Sequence, residues 1–265
     1  MAIKRTPGIG LAPLGIAAIT AMPITASAGI INISESAFQA GSGLITFEES
    51  GFPLGTTNPT YTPSDYGGGP DSPTVQFDGF YDGQELGDAS TCPSGAALSG
   101  CVVGSPTDPL ALDPDSPQTE IVTDGAFPSS PTLSGTPTFN GPISLIFSES
   151  QFGVGLDGGF FDAIGGTAIT AYREDGSEIG SVVNTQEGIE FLGLVTDDRS
   201  ESIAGLQFSL VGDEPFGFNI DNVRFGTVDQ IDDPTSVPLP ATLWLMVTGL
   251  VGLISVAGRP FRLRI

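Results

Sequence analysis

The sequence predicts an all-β protein, an antiparallel β-sandwich of jelly-roll type with long Pro/Gly-rich loops. Apolar runs in the body are short, are bounded by Gly, Pro, Asp and Ser, and never keep a helical spacing. The 37 glycines and 22 prolines favour turns over long helices. A hydrophobic fraction of 39%, which includes 17 phenylalanines, is enough to form the core of one domain.

The predicted strands lie in eight apolar segments. The clearest is the hairpin 168–183, where Asp175-Gly176 can supply the two positive-φ positions of a tight turn. In the last segment, 216–226, the apolar residues switch from one face of the strand to the other, which predicts a bulge near Asp221-Asn222. The other segments are 43–49, 73–81, 142–150, 152–162, 188–195 and 202–212.

Residues 50–141 are predicted to be the loop-rich part of a domain that spans 29–226. Fourteen prolines fall between Pro53 and Pro142, and each removes a main-chain donor that a central strand needs. Long loops with a few edge strands fit this composition, and a partly disordered insert is the alternative. Residues 227–236 are predicted to be a linker that follows the domain.

Charge is distributed very unevenly along the chain. All 31 acidic residues lie between Glu35 and Asp233, and only three basic residues lie among them, Arg173, Arg199 and Arg224. The body therefore carries 3 positive against 31 negative charges, a net charge of -28, in a chain whose net charge is -23. Such a surface repels nucleic acid and anionic lipid, and it attracts cations such as calcium.

The residue types that the body lacks exclude several kinds of catalysis. The chain has no histidine, and Lys4 is its only lysine, so a Ser-His-Asp triad, a histidine metal ligand and a Schiff-base lysine in the body are excluded. Two carboxylates suffice to hydrolyse a glycoside, but no pair stands out by its spacing. Sugar binding needs exposed aromatic rings, and the candidates are tyrosines whose alternative role is ordinary loop packing: Tyr61, Tyr66, Tyr81 and Tyr172.

The two cysteines, Cys92 and Cys101, are predicted to form a disulfide. An even number of cysteines in an exported chain favours pairing, and the bond would contribute about 2–3 kcal/mol to stability. Two thiols without histidine make a poor zinc site, and a redox pair usually has the closer C-x-x-C spacing. A loop this local is expected to lie outside the core.

The N-terminal segment 1–28 is predicted to be a secretory signal peptide. It has a basic start at Lys4 and Arg5, an apolar middle and a small-residue end. Ala26-Ser27-Ala28 fits an A-x-A cleavage site, which would place the start of the mature chain at Gly29.

The C-terminal segment is predicted to contain a transmembrane helix. Residues 241–258 carry no charge, and a helix of this length is just long enough to cross most of a bilayer core. Trp244 lies near one end, where an interfacial aromatic residue is expected. Three arginines come after the apolar segment, and the positive-inside rule predicts that they stay on the cytoplasmic side: Arg259, Arg262 and Arg264.

The order "VPLPA", apolar helix and basic end over residues 237–265 resembles the PEP-CTERM sorting signal in its VPLPA-type variant. The resemblance implies an exported protein of a Gram-negative bacterium that is handled by an exosortase, with transient insertion in the inner membrane. It implies cleavage near the motif and transfer to the cell surface or the extracellular matrix; the alternative is a plain C-terminal anchor that is retained. The motif residues are Val237, Pro238, Leu239, Pro240 and Ala241; Leu239 stands where the commoner signal has Glu, which leaves the exosortase subtype open.

The first and last predicted strands resemble those of secreted carbohydrate-binding jelly rolls. Members of that group often hold a structural calcium ion between an acidic residue of the first strand and an aspartate of the last. The resemblance places these ligands at Glu48 and Asp221, with Glu49 and Asn222 as further contributors. The alternative is that both acids are solvated residues at strand ends.

These observations together predict a secreted, surface-sorted module without catalytic activity. It would act in the extracellular polysaccharide matrix, either as a structural component or by binding glycan. The alternative is a carboxylate-based enzyme that acts on the glycosidic bonds of the same exopolysaccharide.

Overall fold

The computed structural model describes residues 29–124 and 131–232, and in these ranges the chain is all-β. Two single-turn 3-10 helices, Glu35–Ala37 and Leu98–Gly100, interrupt the strands. The strands are β1 (Ile30–Asn32), β2 (Gly43–Ile45), β3 (Thr60–Tyr61), β4 (Val75–Asp78), β5 (Gln84–Leu86), β6 (Val102–Gly104), β7 (Thr119–Thr123), β8 (Pro131–Gly135), β9 (Ile143–Gln151), β10 (Gly153–Phe161), β11 (Thr167–Tyr172), β12 (Glu178–Val183), β13 (Gly188–Thr196), β14 (Ile203–Leu210) and β15 (Asn219–Gly226).

The strands form two large antiparallel sheets that pack face to face as a β-sandwich. One sheet has seven strands in the order β1-β13-β10-β15-β8-β7, with β2 also paired to β15. The other has six strands in the order β12-β11-β14-β9-β4-β3. A two-stranded sheet, β5-β6, lies apart from them. The prediction of an antiparallel all-β fold is therefore confirmed.

One continuous apolar layer fills the space between the two sheets. Side chains alternate between the faces of a strand, so β14 sends Leu206, Phe208 and Leu210 into this layer, and the opposite sheet contributes Val154 and Leu156 from β10. Ring contacts join distant parts of the chain, because Phe208 lies 6.2 Å from Phe161 and 5.7 Å from Phe218 between ring centroids. Burial of such rings is the main favourable term in folding.

The predicted hairpin and bulge are both present. In the turn between β11 and β12 only Gly176 has positive φ, at 77°, so the prediction of two positive-φ positions is wrong for Asp175. The Asp175 carboxylate instead accepts the Ser177 amide at 2.9 Å. In β15 the pairing with β10 steps from Gly155↔Arg224 to Asp157↔Asp221, which gives β15 one extra residue. Asn222 has φ 49° at this bulge.

The proline-rich region 50–141 contributes β3, β4, β7 and β8 to the two large sheets, and β4 and β8 are not edge strands. Tyr81, which is fully buried, lies against the outer face of the six-stranded sheet, where its hydroxyl donates to the carbonyls of Leu145 at 2.7 Å and Leu206 at 3.0 Å. The Gln84 and Gln207 amides donate to each other's side-chain oxygen at 3.2 and 2.8 Å. The segment that carries Tyr81 and Gln84 therefore covers part of this outer face.

The two ends of the described domain meet at one end of the sandwich, which we call the proximal end. The Asp232 amide donates to the Ala37 carbonyl at 2.8 Å, and Ile231, 3% exposed, packs beside Phe152. The assignment of 227–236 to a linker is therefore wrong for residues 227–232, because Ile231 is buried against the seven-stranded sheet. Strand β10 leaves the proximal end at Gly153 and reaches the opposite, distal end at Phe161.

The remaining predictions about the two chain ends fall outside the described residues. These are the signal peptide 1–28, the rest of the linker and the sorting signal 237–265. Within 29–124 and 131–232, the structure contains no helix that is long and apolar enough to span a membrane.

The core makes a direct prediction about stability. Phe208→Ala should lower the free energy of unfolding by about 3–5 kcal/mol, because it removes a ring that is 1% exposed and touches Phe161 and Phe218. Leu54→Ala, at a side chain that is 55% exposed, should change it by less than about 0.5 kcal/mol. Urea titration followed by circular dichroism measures both, and equal losses would contradict this account of the core.

Candidate functional site

The four tyrosines that the sequence suggests as sugar-stacking rings do not form an exposed surface. Tyr61 and Tyr81 have no exposed surface and Tyr172 is 7% exposed. Tyr66 is half-buried, and its hydroxyl donates to the Pro73 carbonyl. The suggestion is wrong for Tyr61, Tyr81 and Tyr172, because each ring is buried in a hydrophobic cluster.

The exposed apolar side chains are concentrated at the distal end. The described residues leave nine large hydrophobic side chains exposed, and seven of them belong to segments that meet there. The most exposed aromatic rings are Phe216 at 61% and Phe160 at 49%. We call the seven side chains the distal surface: Leu98, Phe160, Ile164, Val183, Ile189, Val211 and Phe216.

Backbone contacts place the segments of Phe160, Ile189 and Phe216 side by side. The Phe160 amide donates to the Gly217 carbonyl at 2.8 Å, which joins the end of β10 to the loop before β15. A Cβ on Gly159 would lie 3.0 Å from Ile189 Cγ1, so the missing side chain at Gly159 lets Ile189 of β13 lie close to β10.

A buried carboxylate holds two loops of the distal surface together. Glu214 has no exposed surface. Its carboxylate accepts the Asp162 amide at 3.1 and 3.0 Å and the Ala163 amide at 3.2 Å. Burial raises the pKa of Glu214, while these two amides lower it. The loop that precedes β15 is thereby fixed to the loop that follows β10.

The carbonyl of Phe139 fixes the same loop from the other side. It accepts the amides of Gly217 at 3.0 Å and Phe218 at 2.8 Å. Phe139 itself has φ 65°, the left-handed region that non-glycine residues seldom occupy. Phe216 is therefore carried by a loop whose main chain is bound at several points.

The predicted disulfide is present and supports the distal end. Cys92 and Cys101 are bonded, with their Cα atoms 6.0 Å apart. The expectation that this loop lies outside the core is wrong, because Cys101 is 2% exposed and belongs to the main core cluster. Within the loop, the Ala97 amide donates to the Glu214 carbonyl at 2.8 Å and the Ser99 hydroxyl donates to the Asn140 carbonyl at 2.9 Å.

The distal surface is surrounded by carboxylates without accompanying cations. Asp162, Glu187 and Asp213 are exposed around it. The three arginines of the body lie elsewhere: Arg173 follows β11 and Arg199 follows β13, both at the proximal end, and Arg224 on β15 pairs with Gly155 of β10. The potential at the distal end is therefore negative.

The predicted ligand Asp221 lies on the outer face of the seven-stranded sheet, in a cluster of polar side chains. It stands opposite Asp157 on β10, and Asn222 connects the two. The main-chain amide of Asn222 donates to the Asp221 carboxylate at 2.7 Å, and its side-chain Nδ2 donates to the Asp157 carboxylate at 2.9 Å. Next to them, Arg224 pairs with Glu35 at 2.6 Å. Burial raises the pKa of Asp157, the nearby charge of Glu35 raises it further, and the Asn222 bond lowers it.

The structure does not bring Glu48 and Asp221 into a calcium site. Glu48 is exposed, whereas Asp221 is 2% exposed. Glu49 accepts the Thr46 amide at 2.8 Å and the Thr46 hydroxyl at 3.2 Å. Across the described ranges, no three or more Asp, Glu, Cys or His side chains form a group that could hold a metal ion. Bound calcium at Glu48 and Asp221 therefore stays a prediction.

Open cavities of about 400–650 Å³ lie toward the proximal end. Two of them share Ser148, Glu149, Ser150 and Glu201; apolar side chains such as Leu110 and Phe147 line the rest of one, whereas prolines and hydroxyl-bearing side chains line the rest of the other. The Asp157–Asp221 pair lines none of these cavities. The proximal cavities thus combine carboxylates with apolar residues, and they are separate from both the polar cluster and the distal surface.

Comparison with known proteins adds little to this picture. No protein-family model matches the chain, and no curated protein matches it. One solved structure that it resembles is a mutant of a family 29 carbohydrate-binding module, at 14% sequence identity and a TM-score of 0.23, over 48% of this chain and 81% of that one. A TM-score this low supports no conclusion about fold or ligand.

Sequence reasoning missed Phe160 and Phe216, although signals for both are present. Phe160 and Phe161 are neighbours on one strand, and neighbouring side chains point to opposite faces, so one ring had to leave the core. Phe216 lies between Pro215 and Gly217, a pair typical of loops. The predicted strand 216–226 in fact begins at Asn219.

The disulfide loop should control the order of the distal surface. Replacing Cys92 and Cys101 together by serine should lower the free energy of unfolding by about 2–3 kcal/mol. It should also speed amide hydrogen exchange in 95–101 and 211–218, because the Ala97–Glu214 bond links these segments. Unchanged exchange in 211–218 would contradict this role, and exchange in β11 is the internal control.

The two carboxyls Asp157 and Asp65 should respond oppositely to removal of charge. Folding raises the pKa of Asp157, mainly through burial, so Asp157→Asn should stabilise the fold at neutral pH. The gain should vanish as the pH falls through the folded pKa toward about 3.9, the ordinary aspartate value. Thr62 donates two hydrogen bonds that lower the pKa of Asp65, so Asp65→Asn should destabilise at neutral pH. Urea titrations across this pH range test both signs.

Proposed function

We propose that the protein is an exported β-sandwich that serves the extracellular matrix by binding glycan at its distal surface. The observation that carries this proposal is the pair Phe160 and Phe216, exposed by 49% and 61% on neighbouring segments whose main chain is held by internal hydrogen bonds. Exposed apolar patches on stable folds mark interaction sites. Aromatic rings provide flat faces on which the C–H surfaces of sugar rings pack.

Binding without catalysis is the role that we propose for this surface. Its apolar residues are surrounded by the exposed carboxylates Asp162, Glu187 and Asp213, which can accept hydrogen bonds from sugar hydroxyls. A purely structural role in the matrix would use the same surface to hold one polymer chain against another. The enzyme alternative predicts new reducing ends when the protein is incubated with exopolysaccharide, whereas binding predicts retention alone.

The sorting of the protein belongs to the same proposal. We infer a signal peptide at 1–28 and a VPLPA-type sorting signal with a transmembrane helix at 237–265, which an exosortase processes at the inner membrane. The support for this is the sequence of these segments. The jelly-roll type of connectivity is likewise inferred, since β9, β10 and β11 alternate between the sheets and the early strand β2 pairs with the last strand, β15. The disulfide fits an oxidising compartment.

Replacement of the two exposed phenylalanines is the decisive test of glycan binding at the distal surface. Replacing Phe160 and Phe216 together by alanine should weaken binding to the producer's own exopolysaccharide by about tenfold or more, since each stacked ring is worth about 0.5–1.5 kcal/mol. Retardation in a gel that contains the polysaccharide measures the effect.

Leu54→Ala is the matched control, because Leu54 is equally exposed, at 55%, but lies outside the distal surface. It should bind like the unmodified protein. Full binding by the Phe160/Phe216 variant, with circular dichroism showing an intact fold, would exclude the distal surface as the glycan site.

A further inference from the structure

We propose that the distal surface selects a polysaccharide whose sugar units carry free amino groups. This inference rests on the proposed function and specifies its ligand class. The chemistry that would be recognised is a chain of hexosamine units without N-acyl groups, whose ammonium groups are cationic.

The first argument for this ligand is that its positive charge complements the negative charge around the distal surface. Asp162, Glu187 and Asp213 lie around the exposed rings, and the segments 157–166, 184–191 and 211–218 contain no lysine or arginine. A uronic-acid or sulfated polymer would meet like charges at every side of this surface. A neutral polymer would gain contact with the rings and hydrogen bonds from its hydroxyls to the carboxylates, whereas an amine-bearing polymer also gains hydrogen bonds and ion pairs from its charged ammonium groups.

The exposed phenylalanines favour the same ligand. The face of an aromatic ring carries negative charge density and attracts an ammonium group within about 6 Å of its centre. Phe160 and Phe216 expose about half or more of their surfaces, and the exposed residues Asp162 and Asp213 follow and precede them closely in the same two loops. One hexosamine unit can therefore place its C–H face on a ring and its ammonium group against a carboxylate.

The other possible occupants fit less well. A second copy of this chain would bring two sets of carboxylates together in a protein of net charge -23. A basic peptide that binds as an added strand needs unpaired main-chain groups, but the amides of Phe160, Asp162, Ala163, Gly217 and Phe218 all donate within the protein. A polysaccharide brings no peptide backbone that needs such partners.

Titration calorimetry on the full chain, kept in a mild detergent, tests the selection directly. The probes are oligomers of equal length: a glucosamine oligomer, its fully N-acetylated counterpart and a uronic-acid oligomer. We expect the glucosamine oligomer to bind at least about tenfold more tightly than the N-acetylated one, and the uronic-acid oligomer to bind most weakly. Added salt should narrow the difference, because it screens the exposed charges.

Two double variants distinguish the effect of the carboxylates at the distal surface from the effect of the protein's net charge. Asp162→Asn with Asp213→Asn should remove most of the preference for the amine, because it should weaken the binding of the glucosamine oligomer much more than that of the N-acetylated one. Asp71→Asn with Glu149→Gln makes the same change of net charge at two exposed residues near the proximal cavities, and it should keep the preference. Phe160→Ala with Phe216→Ala should weaken the binding of both oligomers.

Each alternative outcome has a definite meaning. Equal affinity for the amine and the N-acetylated oligomer would overturn the selection and leave the proposed function in place. Failure of the unmodified protein to bind any oligomer would overturn both. Tighter binding of a lysine oligomer of the same charge, lost in the Phe160/Phe216 variant, would overturn the glycan in favour of a basic peptide.

Discussion

The apolar layer between the two sheets holds together a chain whose charges oppose folding. The body has 31 carboxylates and three arginines, so compaction brings like charges closer together. Rings such as Phe161, Phe208 and Phe218 offset this cost by leaving water and packing on one another. The strands of both large sheets take their positions from this layer.

The distal loops cannot depend on that layer alone, because their apolar side chains point away from it. Their order depends on acceptors placed beneath the surface: the Glu214 carboxylate and the Phe139 carbonyl. A buried acceptor with several donors fixes backbone positions more firmly than exposed contacts do. Phe160 and Phe216 can therefore stay exposed without a partner to order them, and the conformational entropy of this surface is reduced before any contact with another molecule.

The sequence predicts the regular half of this molecule better than its distal surface. Alternation and turn residues correctly located the β11–β12 hairpin and the bulge at Asn222, because both follow from local backbone chemistry. Burial of Tyr81 depends on a segment that folds across a sheet formed much later in the chain, and local patterns carry no information about it. The exposure of Phe216 and the burial of Cys101 are likewise set by contacts with distant residues such as Phe139 and Glu214.

The meeting of both domain ends near Ala37 and Asp232 has a mechanical consequence. A polymer that pulls at Phe160 while the chain is held beyond Asp232 applies tension along β10 and β15, which are about 30 Å long. The hydrogen bonds between these strands are perpendicular to the applied force, so they are loaded together in shear and do not break one after another. A domain held in this way can transmit tension between a surface and a polymer without unravelling from its termini.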